Sequence, residues 1–294
     1  MRVGWSVLVC LLLLGACAPG GVGADATAES TTTSSTAPDP TPAPASVPGR
    51  SWGTAAPETA AEPAWIVGAE PLPLRPDGLG QILPTPDVLV DRRLPTTSVL
   101  PPPATEQFES TVAPLDDTVV ERMGATWEPG CPTPLDELRH LTVSFWGFDG
   151  GHHTGELILH RDVAEDVAWV FEQLHAERFP IEEMRIITTA DLEAPPTGDG
   201  NNTASFVCRE VRGASSWSEH ARGLAVDINP FHNPYQRGDV VLPELASAYL
   251  DRGRDRPGMI QPGDVVTESF AAIGWHWGGS WSSPDHMHFS ATGR

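Results

Sequence analysis

The sequence predicts an α+β domain in its C-terminal part, and three observations carry that prediction. Short strand-like runs and an amphipathic helical stretch follow one another without a regular βαβ alternation. The segment that holds them, from about 120 to 294, is long enough to bury a core. Two of the strand-like runs, in SWSEHARGLAVDINP and SPDHMHF, carry a set of histidines and aspartates. The expected architecture is therefore a small antiparallel sheet bearing that set, flanked by helices.

Each element has its own signal. Leu141–Phe145 and Glu156–His160 read as strands on either side of the turn-prone DGGHHTG. From Asp162 to Arg178, Val163, Val167, Val170, Phe171 and Leu174 form one apolar stripe at helical spacing. Asp162 and Glu165 resemble a capping pair for that helix, and Phe179-Pro180 is its expected stop. Met184–Thr188 reads as a further strand, followed by a loop to Asn202. Leu224–Ile228 is a strand opened by Gly223 and closed by Asn229-Pro230. Asp264–Ile273 is helical with Gly274 as its C-terminal cap. Trp275–Trp277 and His286–Ser290 complete the strands, and no internal repeat is present.

Upstream, the composition changes. Residues 1–17 read as an export signal: Met1-Arg2, an apolar run from Trp5 to Leu14 too short for a convincing membrane span, then Leu14-Gly15-Ala16-Cys17, which looks like a bacterial lipobox. Cys17 is then the lipid carrier, and an ordinary signal peptide is the alternative. Residues 18–119 form a linker rich in Pro, Ala, Ser and Thr that passes into an extended arm. Up to about Pro63 it lacks the apolar side chains that offset ordering entropy. Between Trp65 and Val119 apolar residues return among recurring prolines, and the sequence leaves open whether this arm docks or stays free. Residues 120–294 are the expected catalytic domain.

The chemistry sits in the two C-terminal segments. His220, Asp227 and a histidine of the last strand are a ligand set suited to zinc, and three protein ligands leave a fourth position for water. Asp285, three residues before His288, is a candidate base for that water. His220 and Asp227 reach one metal only if the chain bends, and Ala221-Arg222-Gly223 supplies the bend. His286 and His288, two apart, would share a strand face, and Asp285 needs a kink after Pro284 to join them. His286 is either an alternative ligand or a contact to the transition state, and the second is preferred. Ser218 beside His220 belongs to no nucleophile elbow, which argues against a serine hydrolase.

These residues carry a resemblance. HARGLAVDINP with WHWGGSWSSPDHMHF resembles the D-alanyl-D-alanine carboxypeptidase and L-alanyl-D-glutamate peptidase family of zinc cell-wall hydrolases, and the likeness runs from Trp127 to Phe289. It includes GCP at 130–132, GFDG at 147–150, HTGEL at 153–157 and NNTASFVCR at 201–209. The resemblance implies His220, Asp227 and His288 as zinc ligands and Asp285 as the base. Departures are Ser280 after WGG and Ser290 after the His-Phe pair, where relatives tend to carry acids.

Further expectations follow from compartment and substrate. Outside the cell, Cys131 and Cys208 are the two cysteines left after the signal and commonly pair, separate buried thiols being the alternative. Such a bridge would contribute about 4 kcal/mol by chain entropy. Arg209 is the candidate anchor for a substrate carboxylate, which it would grip bidentately, or else a surface ion-pair residue. Ser205 adds a hydrogen bond to substrate in this scheme. Trp275, Trp277 and Trp281 either wall the cleft or fill the core. The net charge of −21, with all 18 basic residues arginine, argues against nucleic acid as a partner. The implied partner is a peptidoglycan stem peptide, cut at the D-alanyl-D-alanine end or between L-alanine and D-glutamate. The implied setting is extracytoplasmic, as a monomer whose only membrane contact is the lipid anchor. A zinc-containing wall-binding module without turnover is the alternative from another class.

Overall fold

The computed structural model describes residues 65–294. The expected export signal, Cys17 and the tract up to residue 64 lie outside the described residues. The elements in order are α1 (Asp87–Val90), β1 (Ser110–Pro114), α2 (Asp117–Met123), β2 (Leu138–Trp146), β3 (His152–His160), α3 (Ala164–Ala176), β4 (Glu183–Met184), α4 (Thr189–Glu193), β5 (Asn202–Thr203), β6 (Ala225–Asp227), β7 (Tyr235–Arg237), β8 (Val240–Leu242), α5 (Val265–Ala272), β9 (His276–Trp277) and β10 (His288–Ser290). The fold is α+β, as the irregular order predicts. Two three-stranded antiparallel sheets dominate it, β1-β2-β3 and β6-β10-β9. Among the described residues no helix is long and apolar enough to cross a membrane.

The core lies between these sheets and the two longer helices. Val167, Val170, Phe171 and Leu174 of α3 are buried as the periodicity requires, and they pack with Leu141, Val143, Leu157 and Leu159 of the first sheet. Phe289 of β10 stacks on Phe270 of α5 with ring centroids 4.1 Å apart, which ties the second sheet into the same core. Trp275 is buried there as well, so it is a core residue and not a cleft wall.

The helix signals hold in part. Asp264 caps α5, accepting from Thr267 N at 2.9 Å. The cap of α3 differs from expectation: the helix starts after Val163, which offers no side-chain acceptor, and Asp162 does not cap it. Its stop comes before Phe179-Pro180. Arg178 adopts φ 53°, and Phe179 N donates to Leu174 O at 2.9 Å while Arg178 N donates to His175 O at 3.0 Å. That is the Schellman arrangement, reached here without glycine. The expected strand at Met184–Thr188 contracts to β4, a short parallel partner of β5.

The arm docks, and folded structure begins well before residue 120. That boundary falls inside α2, and β1 already pairs with β2 along Ser110↔Val143 to Pro114↔Arg139. Further upstream Arg92 is buried to 1 % exposure. Its Nε donates to Glu182 Oε2 at 2.8 Å, its Nη1 donates to Asp199 O at 2.7 Å, and Nη2 closes a second bond to Glu182. The guanidinium lies 4.4 Å from the Phe231 ring centre. Trp65 Nε1 donates to Asp199 Oδ2 at 2.8 Å, and Ser98 Oγ lies 2.8 Å from His153 Nδ1, whose other nitrogen faces Asp149 at 3.1 Å. The recurring prolines prevent regular pairing over much of the arm, so side-chain anchors hold it instead. Cys131 and Cys208 form a disulfide across 77 residues, with Cα atoms 5.8 Å apart.

Candidate metal centre

β6 and β10 run antiparallel with Asp227 directly opposite His288. On such strands alternate residues face opposite ways. Phe289 and Val226 therefore point into the core while His288 and Asp227 share the other face. His220 arrives from the turn Glu219–Arg222, where Ser218 Oγ accepts from His220 N at 3.3 Å. Gly223 closes that turn with φ 66°, and a Cβ there would lie 2.6 Å from His160 N, so the expected bend depends on glycine.

Each of the three side chains offers an atom within 4.8 Å of the others'. His220 Nε2 lies 3.2 Å from His288 Nδ1 and 3.3 Å from Asp227 Oδ2, and His288 Nδ1 lies 2.9 Å from Asp227 Oδ1. The outward-facing nitrogens decide the tautomers. His220 Nδ1 donates to the carbonyl of Ser205, and His288 Nε2 donates to the main-chain oxygen of Arg294 at 3.2 Å. A neutral imidazole carries one proton, so each ring presents a bare nitrogen to the centre. With both rings neutral, two lone pairs and a carboxylate converge, and without a cation at the centre a proton on His288 is what Asp227 favours. The electrostatics agree. Burial opposes the ionisation of Asp227, yet His220 and His288 hold it well below the usual carboxylate range. Burial opposes protonation of His288, yet the hydrogen bond and charge of Asp227 raise it. The cluster calls for a positive charge at its centre, and a nitrogen–nitrogen–oxygen donor set of this kind fits zinc.

Asp285 stands beside this cluster. The expected strand His286–Ser290 begins only at His288, because His288 N donates to Asp285 O at 3.3 Å in a tight turn. That turn replaces the strand-face relation expected of His286 and His288. Asp285 N donates to Gly278 O at 3.0 Å, and a Cβ on Gly278 would sit 2.7 Å from Asp285 O. Glycine is required for that approach. Oδ1 of Asp285 is buried with no hydrogen-bond partner among the described residues. Burial first, then the negative charge of Asp227, pushes its carboxyl up to about 7. His286 Nδ1 is likewise buried and unpartnered, and burial with the nearby Arg252 charge lowers its ring to about 4, so it is neutral at pH 7. Trp277 Nε1 donates to His286 O at 2.9 Å, and the Trp281 ring lies 5.4 Å from the His288 ring.

Of the expected substrate residues, Arg209 and Ser205 part company. Arg209 is exposed, and its one hydrogen bond among the described residues runs from Nη1 to Glu210 O at 3.2 Å. Desolvation lowers its pKa first, the charges of Asp227 and Asp285 act the other way, and the disulfide holds the neighbouring Cys208. Ser205 is a correction. Its hydroxyl is buried and spent on β3, accepting from Ile158 N at 3.0 Å and donating to Ile158 O at 2.6 Å. Its single proton is committed and the residue is buried, so it does not donate to substrate, and its carbonyl orients His220 instead. Two contributors escaped the sequence reading. Neither Glu219, next to His220, nor Arg294 was singled out in the sequence.

An α+β domain that aims two bare ring nitrogens and a carboxylate at one point, beside a second buried carboxylate, has the layout of a hydrolytic metal centre. Residues 212–291 match the model of a family described as D-alanyl-D-alanine carboxypeptidase. The matched segment contains His220, Asp227, Asp285, His286 and His288. No curated protein and no solved structure matches the chain.

Proposed function

We propose that this chain is a zinc-dependent peptidase of peptidoglycan stem peptides, acting as a D-alanyl-D-alanine carboxypeptidase. The observation that carries the reading is the convergence of His220 Nε2, His288 Nδ1 and the Asp227 carboxylate beside the unpartnered Asp285. Bound there, zinc would supply Lewis acidity and a water acidified towards neutrality. Asp285 takes a proton from the attacking water and returns it to the departing amine nitrogen as the C–N bond breaks. A carboxyl near 7 suits both transfers. His286, neutral at pH 7, donates its N–H to the carbonyl oxygen as charge develops there. Arg209 pairs with the terminal carboxylate of the peptide, and this contact favours cleavage at the chain end over an internal L-alanyl-D-glutamate bond.

The lipobox-like Leu14-Gly15-Ala16-Cys17 supports an extracytoplasmic, lipid-anchored enzyme, with the proline-rich tract as tether into the wall. Radiolabelled palmitate should enter the wild type and not Cys17→Ser; equal labelling removes the anchor from the proposal. The activity itself is tested by mass spectrometry of purified muropeptides incubated with the zinc-loaded chain. Loss of one terminal alanine supports the reading. A cut between L-alanine and D-glutamate replaces it with an endopeptidase, and intact muropeptides with zinc bound replace it with a wall-binding module.

A further inference from the structure

The segment that follows β10 turns back on the metal centre. Ala291 N donates to Leu224 O at 3.0 Å, which ties the segment to the edge of β6. Gly293 then adopts φ 75°, and a Cβ there would lie 3.1 Å from the His276 ring. Only glycine turns the chain this tightly against that ring. The turn brings the main-chain oxygen of Arg294 to 3.2 Å from His288 Nε2, six residues back along the chain. The side chain of the same residue reaches the other ligand segment. Arg294 Nη2 lies 3.6 Å from Glu219 Oε1, and the Glu219 side chain is 4 % exposed although it is ionisable. Arg222 Nε stands 3.8 Å from the same oxygen. One residue therefore touches both the ring of His288 and the neighbour of His220.

We infer that the segment Ala291–Arg294 is a positioning element of the metal centre, with the Arg294 main-chain oxygen holding His288 in the tautomer that presents Nδ1. This rests on the zinc reading above. An imidazole that donates through Nε2 leaves Nδ1 bare, and Nδ1 is the atom that faces Asp227 and His220. Outer partners of this kind fix ring orientation and raise ligand basicity, and their loss costs about 10–100-fold in metal affinity. The ion pair with Glu219 contributes little by itself, because the Arg294 side chain is 77 % exposed. Its part is to keep the oxygen in place against the turn at Gly293.

Two measurements on the full chain test this. The first is zinc affinity by chelator competition for the wild type, for a variant lacking Gly293 and Arg294, and for His220→Ala. The truncated chain should bind zinc about 10–100-fold more weakly while its near-ultraviolet circular dichroism is unchanged. Equal affinity in the truncated chain, with His220→Ala impaired, overturns the role of the segment alone. Equal affinity in His220→Ala overturns the zinc site itself. The second needs no variant and decides the matter if the truncated chain fails to fold. Nitrogen-15 spectra of zinc-loaded wild type should show His288 protonated at Nε2 and metal-bound at Nδ1, and the reverse assignment overturns the inference.

Discussion

Arg92 and Asp227 both lie among buried polar groups, and their surroundings are built in opposite senses. Around Arg92 the donors and acceptors balance. Its fork meets both oxygens of Glu182, a third N–H meets Asp199 O, and Glu182 takes one more bond from Asn201 Nδ2 at 2.9 Å. Asn201 Oδ1 in turn accepts from Phe231 N at 2.9 Å. Around Asp227, acceptors face acceptors, and only a cation completes the set. A buried network that closes on itself holds structure together, whereas one that lacks a single positive charge is prepared to receive one. The same domain uses the first kind to fasten its arm and the second to form its centre.

The largest separation between the two regions should come from Asp285→Asn. The change is nearly isosteric, so the fold and zinc content should stay as in the wild type while turnover falls by roughly 10²–10⁴-fold. Steady-state kinetics with metal analysis on the same samples check this. Retained turnover with zinc bound removes Asp285 from the proton path.

The arm should answer in the opposite way. Arg92→Met leaves the buried Glu182 carboxylate without its cation, and breaking a buried pair in this manner costs about 3–5 kcal/mol. Thermal unfolding should register the loss in the zinc-free chain. Adding Glu182→Leu to Arg92→Met should recover much of it, since apolar replacement of a whole buried pair is often neutral. If Arg92→Met unfolds at the wild-type temperature, the arm is not fastened there.

The two regions were also unequally legible in the sequence. His220 and Asp227 could be read because one short motif holds both, whereas His288 lies 61 positions from Asp227 and was preferred to His286 through the family resemblance. The amphipathic stripe of α3 was legible because its spacing, too, is local. Arg92 was not, because its partners Glu182 and Asp199 lie 90 and 107 positions away and nothing near Arg92 marks it for burial. The proline content of the arm gave no helix or strand pattern to read, so docking by side chains left no periodic trace. Ser205 was expected to hydrogen-bond substrate, but its hydroxyl is claimed by Ile158, 47 residues earlier. The kink that frees Asp285 was foreseen from Pro284; that Gly278 makes room for it was not.

A smaller effect separates the arm's network by pH. His232 is fully buried, with Nε2 3.1 Å from Arg92 O and Nδ1 3.0 Å from Asn201 Nδ2. Burial first, then the charges of Arg92, Arg252 and Arg256, lowers its ring to about 3. The folded value lies below the ordinary histidine value of about 6.5, so the unfolded chain binds the proton more readily. Stability is then full above about pH 6.5 and is lost as pH falls from there towards 3, by up to about 1.4 kcal/mol per pH unit. His232→Asn should be less stable at neutral pH but should show a shallower loss between pH 6 and 4. Parallel curves for the two proteins in denaturant titrations place the acid sensitivity in another group.

The finest test lies at the rim of the centre, where Arg209 differs from both regions. It is charged like Arg92 but exposed, and among the described residues its one hydrogen bond goes to the carbonyl of its own neighbour. Arg92 spends its planar fork on Glu182, and Arg209 keeps the same fork uncommitted, next to a cysteine fixed by a disulfide. A guanidinium held in this way meets a carboxylate through two parallel bonds with little ordering cost. Arg209→Lys retains the charge and loses the fork, so catalysis on carboxylate-ended peptides should weaken by about tenfold, the scale of one charge-assisted hydrogen bond. Stability should not change, because nothing buried depends on the side chain. The loss should shrink when the same peptides are amidated, since the recognised charge is then gone from both reactions. If wild type and Arg209→Lys distinguish acid from amide peptides equally well, the free fork is not the substrate anchor, and the preference for a chain end lies elsewhere in the cleft.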